Sequence, residues 1–219
     1  MKPAFIIIAL DGGAGTGKST TAHSLSEALN LLHVDTGSHY RAVTRALLDL
    51  GVSSTEVRKY LNKYTLPLST QVENRRSCLM VDQIRFMQTD LRSPEINQCV
   101  SDFSSQPCIR NLLFDYQRSQ VEVAKDNNLD GIVMEGRDIG TVILPDADLK
   151  IFLQADPGIR ANRRIKDGET DQITNRDEKD STRKIAPLVP ANGCIRIDTG
   201  ILSIQEVTKS ILDVIETLT

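Results

Sequence analysis

The stretch Gly12-Gly13-Ala14-Gly15-Thr16-Gly17-Lys18-Ser19 fits G-x-x-x-x-G-K-[ST] at every fixed position, and nothing else in the chain constrains its fold as strongly. Glycines at this density let the backbone curl until successive N–H groups face one anion, and a helix starting behind them adds its positive end. Such a loop needs a strand before it and a helix after it. Residues 5–10 form a short, continuous, β-rich apolar run, as expected of a strand buried on both faces. Beyond the loop, Ala22, Leu25, Ala28, Leu29 and Leu32 recur at helical spacing, and His33-Val34-Asp35 reads as a second strand. The opening is therefore β-loop-α-β, the start of an α/β domain. In a loop of this kind Lys18 reaches the β and γ phosphates of a nucleoside triphosphate and the Ser19 hydroxyl holds Mg²⁺, so residues 12–19 and the adjoining Thr20 are the expected triphosphate-binding set.

Residues 131–135, 149–153 and 194–197 are further strand candidates, separated by long helical stretches such as 95–127. The alternation predicts a P-loop NTPase fold: a central parallel sheet of about five strands flanked by helices. Near the C-terminus Ser203-Ile204-Gln205-Glu206 has the form of a capping box, followed by Val207, Ile211, Val214, Ile215 and Leu218 on one stripe. Two segments break the pattern. Residues 63–90 carry β-leaning pieces (65–69, 79–81 and 84–87) around a polar turn at 73–77 and suggest a small antiparallel insertion. Residues 158–184 carry a net charge of +2 in a chain whose total is −3, with the polar, apolar-poor character of a lid. The expected organisation is a core of residues 1–62, 91–155 and 186–219, an insertion at 63–90 and a mobile lid at 156–185.

With 26 Lys plus Arg against 29 Asp plus Glu, the chain has no general field for a nucleic acid polymer, so any anionic ligand must meet a local basic site. Cys78, Cys99, Cys108 and Cys194 form no C-x-x-C pair and read as reduced thiols of a cytoplasmic protein. The N-terminal apolar run stops at Asp11, which argues against secretion or membrane insertion. A monomer acting on small molecules is the expectation.

A P-loop names the ligand class but not the fate of the triphosphate. A GTP-dependent switch needs D-x-x-G and N-K-x-D, and Asn62-Lys63-Tyr64-Thr65 lacks the Asp; a transporter ATPase needs an S-G-G-Q-like signature, also absent. The chain offers instead a second set of anion-binding candidates: Asp35-Thr36-Gly37-Ser38-His39-Tyr40-Arg41 after the second strand, Glu135-Gly136-Arg137-Asp138 after the next, and Arg176, Asp180 and Arg183 at i, i+4, i+7. Taken singly, each has a plain structural explanation as a cap or a solvated ion pair. Together with a P-loop they suit a kinase, which needs arginines from several sides to neutralise a transferring phosphoryl group.

These strings, with Ile139-Gly140-Thr141, Pro145-Asp146-Ala147, Lys150-Ile151-Phe152-Leu153, Arg176-Asp177 and Ala186-Pro187-Leu188-Val189-Pro190, resemble bacterial cytidylate kinases from about residue 5 to about residue 215. The resemblance implies phosphoryl transfer from Mg-ATP to CMP or dCMP in pyrimidine nucleotide metabolism, giving ADP and CDP or dCDP. It further implies that Ser101, Arg110 and Asp138 face the cytosine and that Thr36, Arg41 and Arg137 hold the acceptor phosphate. By the same resemblance Arg176 and Asp180 reach the ribose and Arg183 closes onto the phosphates, while 63–90 is the monophosphate-binding insertion. Lys18, Arg137 and Arg183 would be the catalytic cations, and Arg163 and Arg164 would add charge around the ATP phosphates. Glu135 stands where many members have Asp, Thr36 replaces a frequent Ser, and the lid is several residues shorter than in longer members. Among P-loop kinases the alternative is another small acceptor, a different nucleotide or shikimate; outside catalysis it is the guanine-nucleotide switch.

Chemistry favours these roles. A carboxylate accepts from cytosine N4 while Arg or Ser donates to N3 or O2, and uracil mispairs with both. The acceptor phosphate is itself the nucleophile, mostly dianionic at pH 7, so His23, His33 and His39 need no catalytic part.

Overall fold

A computed structural model describes residues 5–166 and 173–217 of the chain. Strand β1 (Ile6–Gly12) leads through the glycine loop into helix α1 (Lys18–Leu29) and strand β2 (Leu31–Asp35). Helices α2 (Thr36–Asp49) and α3 (Val57–Leu61) precede strands β3 (Leu68–Glu73), β4 (Arg76–Val81) and β5 (Ile84–Arg85). Helices α4 (Gln88–Leu91), α5 (Pro94–Ser104) and α6 (Pro107–Asp126) lead to β6 (Gly131–Gly136), a π-helical turn (Ile139–Ile143) and β7 (Leu149–Gln154). Helices α7 (Pro157–Lys166) and α8 (Ile173–Thr182), strand β8 (Ile195–Asp198) and helix α9 (Ile204–Thr217) complete the order.

Strands β2, β6, β1, β7 and β8 lie side by side and parallel, the five-strand sheet that the alternation predicts. Their apolar runs fill both faces. Ile8, Leu10, Leu25, Val133, Leu153 and the inner side of α9 form one layer, while Ala9, Val34, Met134, Ile139 and Ala124 form the other. Strand β1 sits in the middle, so its C-terminal end, where the glycine loop begins, opens at the edge where doubly wound sheets bind ligands.

The β-leaning segment forms the antiparallel strands β3, β4 and β5, with Asn74 and Arg75 in left-handed conformations at the turn. It does not stand apart from the core sheet. Parallel pairing of β4 with β2 at Arg76 and His33 joins it to the edge, giving one eight-stranded sheet. The expected helical stretch 95–127 is two helices. Pro107 has no N–H to donate to the preceding turn and biases Gln106 to an extended backbone, so α5 stops at Ser104 and α6 restarts with Pro107 in its first turn.

The C-terminal capping box closes as its sequence predicts: Ser203 N donates to Glu206 Oε2 at 2.8 Å and Glu206 N to Ser203 Oγ at 3.3 Å. Val207, Ile211 and Ile215 then bury in the core layer that α9 shares with α1 and the sheet, each contributing roughly 1.5–3 kcal/mol. Leu218, expected on the same stripe, lies outside the described residues.

Candidate active site

The glycine loop takes its shape from close approaches. A side chain at Gly12, which has φ +153°, would place Cβ 2.3 Å from the Leu153 carbonyl oxygen, and Gly17 caps α1 from the left-handed region. Thr16 Oγ1 donates to the Gly13 carbonyl at 2.9 Å and Lys18 Nζ to the same oxygen at 2.7 Å. Desolvation in the cleft, then the neighbouring Arg137, lowers the Lys18 pKa to about 8 against the pull of Glu135, Asp177 and Asp35. Ser19 Oγ donates to Glu135 Oε2 at 2.9 Å, and the other oxygen of Glu135 lies 2.8 Å from Nε2 of the buried His33.

An acidic side chain of α8 rests on this loop. Ala14 N donates to Asp177 Oδ1 at 3.0 Å, Arg137 Nη1 lies 3.0 Å from the same oxygen, and Arg160 pairs with Oδ2. Burial would raise the Asp177 pKa, but Arg137, the Ala14 N–H and Arg160 outweigh it and hold the carboxyl below its usual range. The carboxylate thus accepts from the loop as a phosphate oxygen does in a glycine-rich nest.

From Gly15 and Lys18 the cleft, about 340 Å³, runs on past Thr36, Arg41 and Ser101 to Arg137, Asp138, Asp180 and Arg183. Asp138 is clamped from two sides: Arg110 Nη2 pairs with one oxygen and Arg183 Nη2 reaches the other at 3.2 Å. Burial pushes the Asp138 pKa up, and the two arginines oppose it. Arg110 also donates to the Ser104 carbonyl at 3.4 Å and lies 5.4 Å over the Tyr40 ring. Desolvation raises the Tyr40 phenol to about 12, so it stays protonated. Arg137 spans the two halves, donating to the Gly12 carbonyl at 2.8 Å and pairing with Asp180 at 3.0 Å. Asp180 also lies 3.6 Å from Arg183.

Helix α2 presents Thr36 and Arg41. Asp35 caps that helix through Ser38 N at 3.2 Å, and Thr36 Oγ1 donates to the Glu135 carbonyl at 2.8 Å. Arg41 is buried, its Nη1 donating to the Leu91 carbonyl at 2.9 Å and to Asn97 Oδ1 at 2.6 Å, which ties α2 to α4 and α5. His39 is also buried with neither ring nitrogen hydrogen-bonded, its ring meeting Tyr116 edge-on at 5.2 Å; burial lowers its pKa to about 4, so it is neutral at pH 7.

Of the residues expected from sequence, Thr20 and Arg164 line the cleft with those already placed, whereas Gly12, Gly13, Thr16 and Arg110 adjoin its lining, Arg110 through Asp138 and Gly12 through Arg137. Arg163 ties α7 to the end of β8, Nη2 donating to the Thr199 carbonyl at 2.6 Å and Nη1 to Thr199 Oγ1 at 3.1 Å, and Nη1 also reaches the Gly15 carbonyl of the glycine loop at 3.5 Å. Arg183 lies one residue past the end of α8, so its approach to Asp180 comes from the following turn rather than from one continuous helix face. The side chain of Arg176 lies outside the described residues. Sequence reasoning passed over Arg160, Arg92 and Asn97. Arg160 was accessible in principle, because β7 neighbours β1 and the helix after β7 must start beside the glycine loop; Arg92, between two short helices, carried no signal.

A glycine loop, a buried carboxylate held by two arginines and a cationic wall in one cleft agree with the comparison to known families, in which the model described as cytidylate kinase matches residues 8–217. The chain belongs to the cytidylate kinase family. It is 36% identical to the cytidylate kinase of Acholeplasma laidlawii, over 95% of this chain and 94% of that protein. With the cytidylate kinase of Thermotoga neapolitana the identity is 38%, over 95% and 96%. A sugar kinase structure from Janibacter shares the fold at 10% identity, with a TM-score of 0.51 and coverage of 98% of each chain. Family membership makes the chain an ATP-dependent kinase of CMP and dCMP.

Proposed function

We propose that this chain transfers the γ-phosphoryl group of Mg-ATP to CMP or dCMP across this cleft, with the donor over the glycine loop and the acceptor between α2, α5 and Asp138. The observation that carries the acceptor assignment is the buried Asp138, held by Arg110 and Arg183 with Ser101 on the adjoining wall. A fixed carboxylate accepts from the cytosine amino group, and the adjacent guanidinium and hydroxyl donate to N3 and O2.

Donor phosphates would take the Ala14 N–H, the Lys18 ammonium and the N-terminus of α1, displacing Asp177. Arg137, between the Gly12 carbonyl and Asp180, stands where both phosphates would meet, and Thr36 and Arg41 flank the acceptor side. Arg183 and Arg164 bring lid charge to the transferring group, and Asp180 with Arg176 would meet the ribose. Arg163 contributes by anchoring α7. Residues 63–90 would wall the monophosphate side and residues 156–185 close as the lid, excluding water as a competing acceptor.

The hydroxyl of Ser19 and the carboxylate of Glu135 are hard oxygen donors, the kind of set that holds Mg²⁺ through one or two protein groups plus phosphates and water. When bound, the ion neutralises charge on the β and γ oxygens. The acceptor phosphate is itself the nucleophile and needs no general base. Among the described residues no helix is long and apolar enough to cross a membrane. The reading is of a monomer acting in the cytoplasm on small nucleotides, in keeping with four free cysteines.

Calorimetric titration with CMP, dCMP and UMP tests the acceptor half directly. CMP and dCMP should bind at least roughly tenfold more tightly than UMP; equal affinities would refute the base assignment.

A further inference from the structure

Asp138 occupies the N-cap position of the π-helical turn Ile139–Ile143, and its carboxylate makes no capping bond there. Aspartate is among the strongest capping residues, its oxygen accepting from the first free N–H groups of its own turn. Left to local preference, Asp138 would fold back onto Gly140 N and leave Arg110 and Arg183. Those N–H groups are already taken. Asp11, the penultimate residue of β1 and 3% exposed, accepts from Ile139 N through Oδ1 and from Gly140 N through Oδ2, both at 2.8 Å. The contact crosses from one strand to the loop after its neighbour, and Gly140 keeps it close: a Cβ there would lie 3.4 Å from Asp11 Oδ2 and 3.1 Å from the Ala191 methyl.

We propose that Asp11 is a positioning residue for base recognition, capping the turn in place of Asp138 and so releasing the Asp138 carboxylate to the cleft. The inference rests on the assignment of Asp138 to the cytosine. Two features favour it over a simple structural cap. Burial pushes the Asp11 carboxyl up to about 6, with nearby Asp138 adding to the rise and the two N–H bonds and Lys18 opposing it, so the fold bears the cost of a poorly solvated carboxylate at this turn. And both N–H groups need an acceptor, which a carboxylate with two free oxygens supplies and an amide does not.

The test is a double-mutant cycle on the CMP-over-UMP ratio of kcat/KM, with Asp11→Asn and Asp138→Asn made singly and together. Asparagine keeps the shape of Asp11 but turns an N–H₂ towards one of the two donors. Alone, Asp11→Asn should lower the ratio by roughly tenfold and raise KM for CMP while leaving KM for ATP within about twofold. In the Asp138→Asn background it should change the ratio by less than about twofold, because its effect passes through Asp138. A ratio untouched by Asp11→Asn, or an equal fall in both backgrounds, overturns the proposal while leaving the acceptor assignment standing. A ratio untouched by Asp138→Asn overturns both. If Asp11→Asn does not fold, Asp11→Glu keeps both acceptors at a longer reach; it should lower the ratio to a smaller extent, and an unchanged ratio with normal melting would overturn the proposal.

Discussion

Replacing Asp138 by Asn separates base reading from phosphate chemistry, because the residue faces Arg110 and Arg183 rather than the glycine loop. The substitution removes an acceptor for the cytosine amino group and offers an amide donor that suits uracil O4. At about 1–3 kcal/mol for a well-placed base contact, the CMP-over-UMP ratio of kcat/KM should fall by roughly 5–150-fold. The same change acts on stability. Removing one member of a buried ion pair costs about 3–5 kcal/mol when its partner is stranded. Here the figure is smaller, since Arg183 keeps Asp180, Arg110 keeps the Ser104 carbonyl, and burial already disfavours the Asp138 charge. A loss of about 1–2 kcal/mol would lower Tm by roughly 2–8 °C in a chain of this size. A coupled assay of ADP release with CMP and UMP gives the ratio, and a thermal melt gives the stability. A ratio within twofold of the wild type, in a folded variant, would remove Asp138 from the base site.

His39 carries a pH prediction. Its folded pKa of about 4 lies below the unfolded value of 6.5, so its contribution is present above pH 6.5 and is lost as pH falls towards 4, where the unfolded imidazole takes a proton that the folded one does not. Between pH 7 and pH 5 that amounts to about 2 kcal/mol, and His39→Phe should lose correspondingly less stability over this interval in urea titrations; an identical loss would contradict the burial account. Asp177 must leave the Ala14 N–H before a phosphate can take it. Asp177→Asn should therefore tighten ATP binding by roughly 5–30-fold, taking about 1–2 kcal/mol for charge-assisted bonds partly regained in water. Calorimetry with a non-hydrolysable ATP analogue reads this, and unchanged or weaker binding would show that the carboxylate does not compete with the triphosphate.

Much of the donor half was legible because its determinants are local. The glycine spacing, the apolar run before it and the helical spacing after it lie within some thirty residues, and they place β1, the loop and α1 correctly. The parallel sheet followed from alternation alone. What escaped depends on contacts between distant positions. The joining of β4 to β2 rests on one pair, Arg76 with His33, that no local pattern announces. Asp11 reads only as the residue at which the N-terminal apolar run stops, and the adjacency of β1 and β6 brings it beneath Ile139 and Gly140. Arg160 and Arg163 sit three residues apart on α7 and both reach carbonyls of the glycine loop, yet Arg160 also pairs with Asp177 and Arg163 with Thr199; charge spacing on a helix does not announce those partners. The break at Pro107 was the exception, a local signal available in the sequence and overridden by the helical spacing on either side.

The account's central claim is that one cleft holds both a triphosphate loop and a cytosine reader. ADP release from Mg-ATP, measured with CMP, dCMP, UMP, AMP, GMP and shikimate offered one at a time, tests it most directly. Fast turnover confined to CMP and dCMP is the predicted result. Comparable turnover with another acceptor would contradict the cytosine site, and a folded, ATP-binding protein with no acceptor-dependent turnover would contradict the kinase itself.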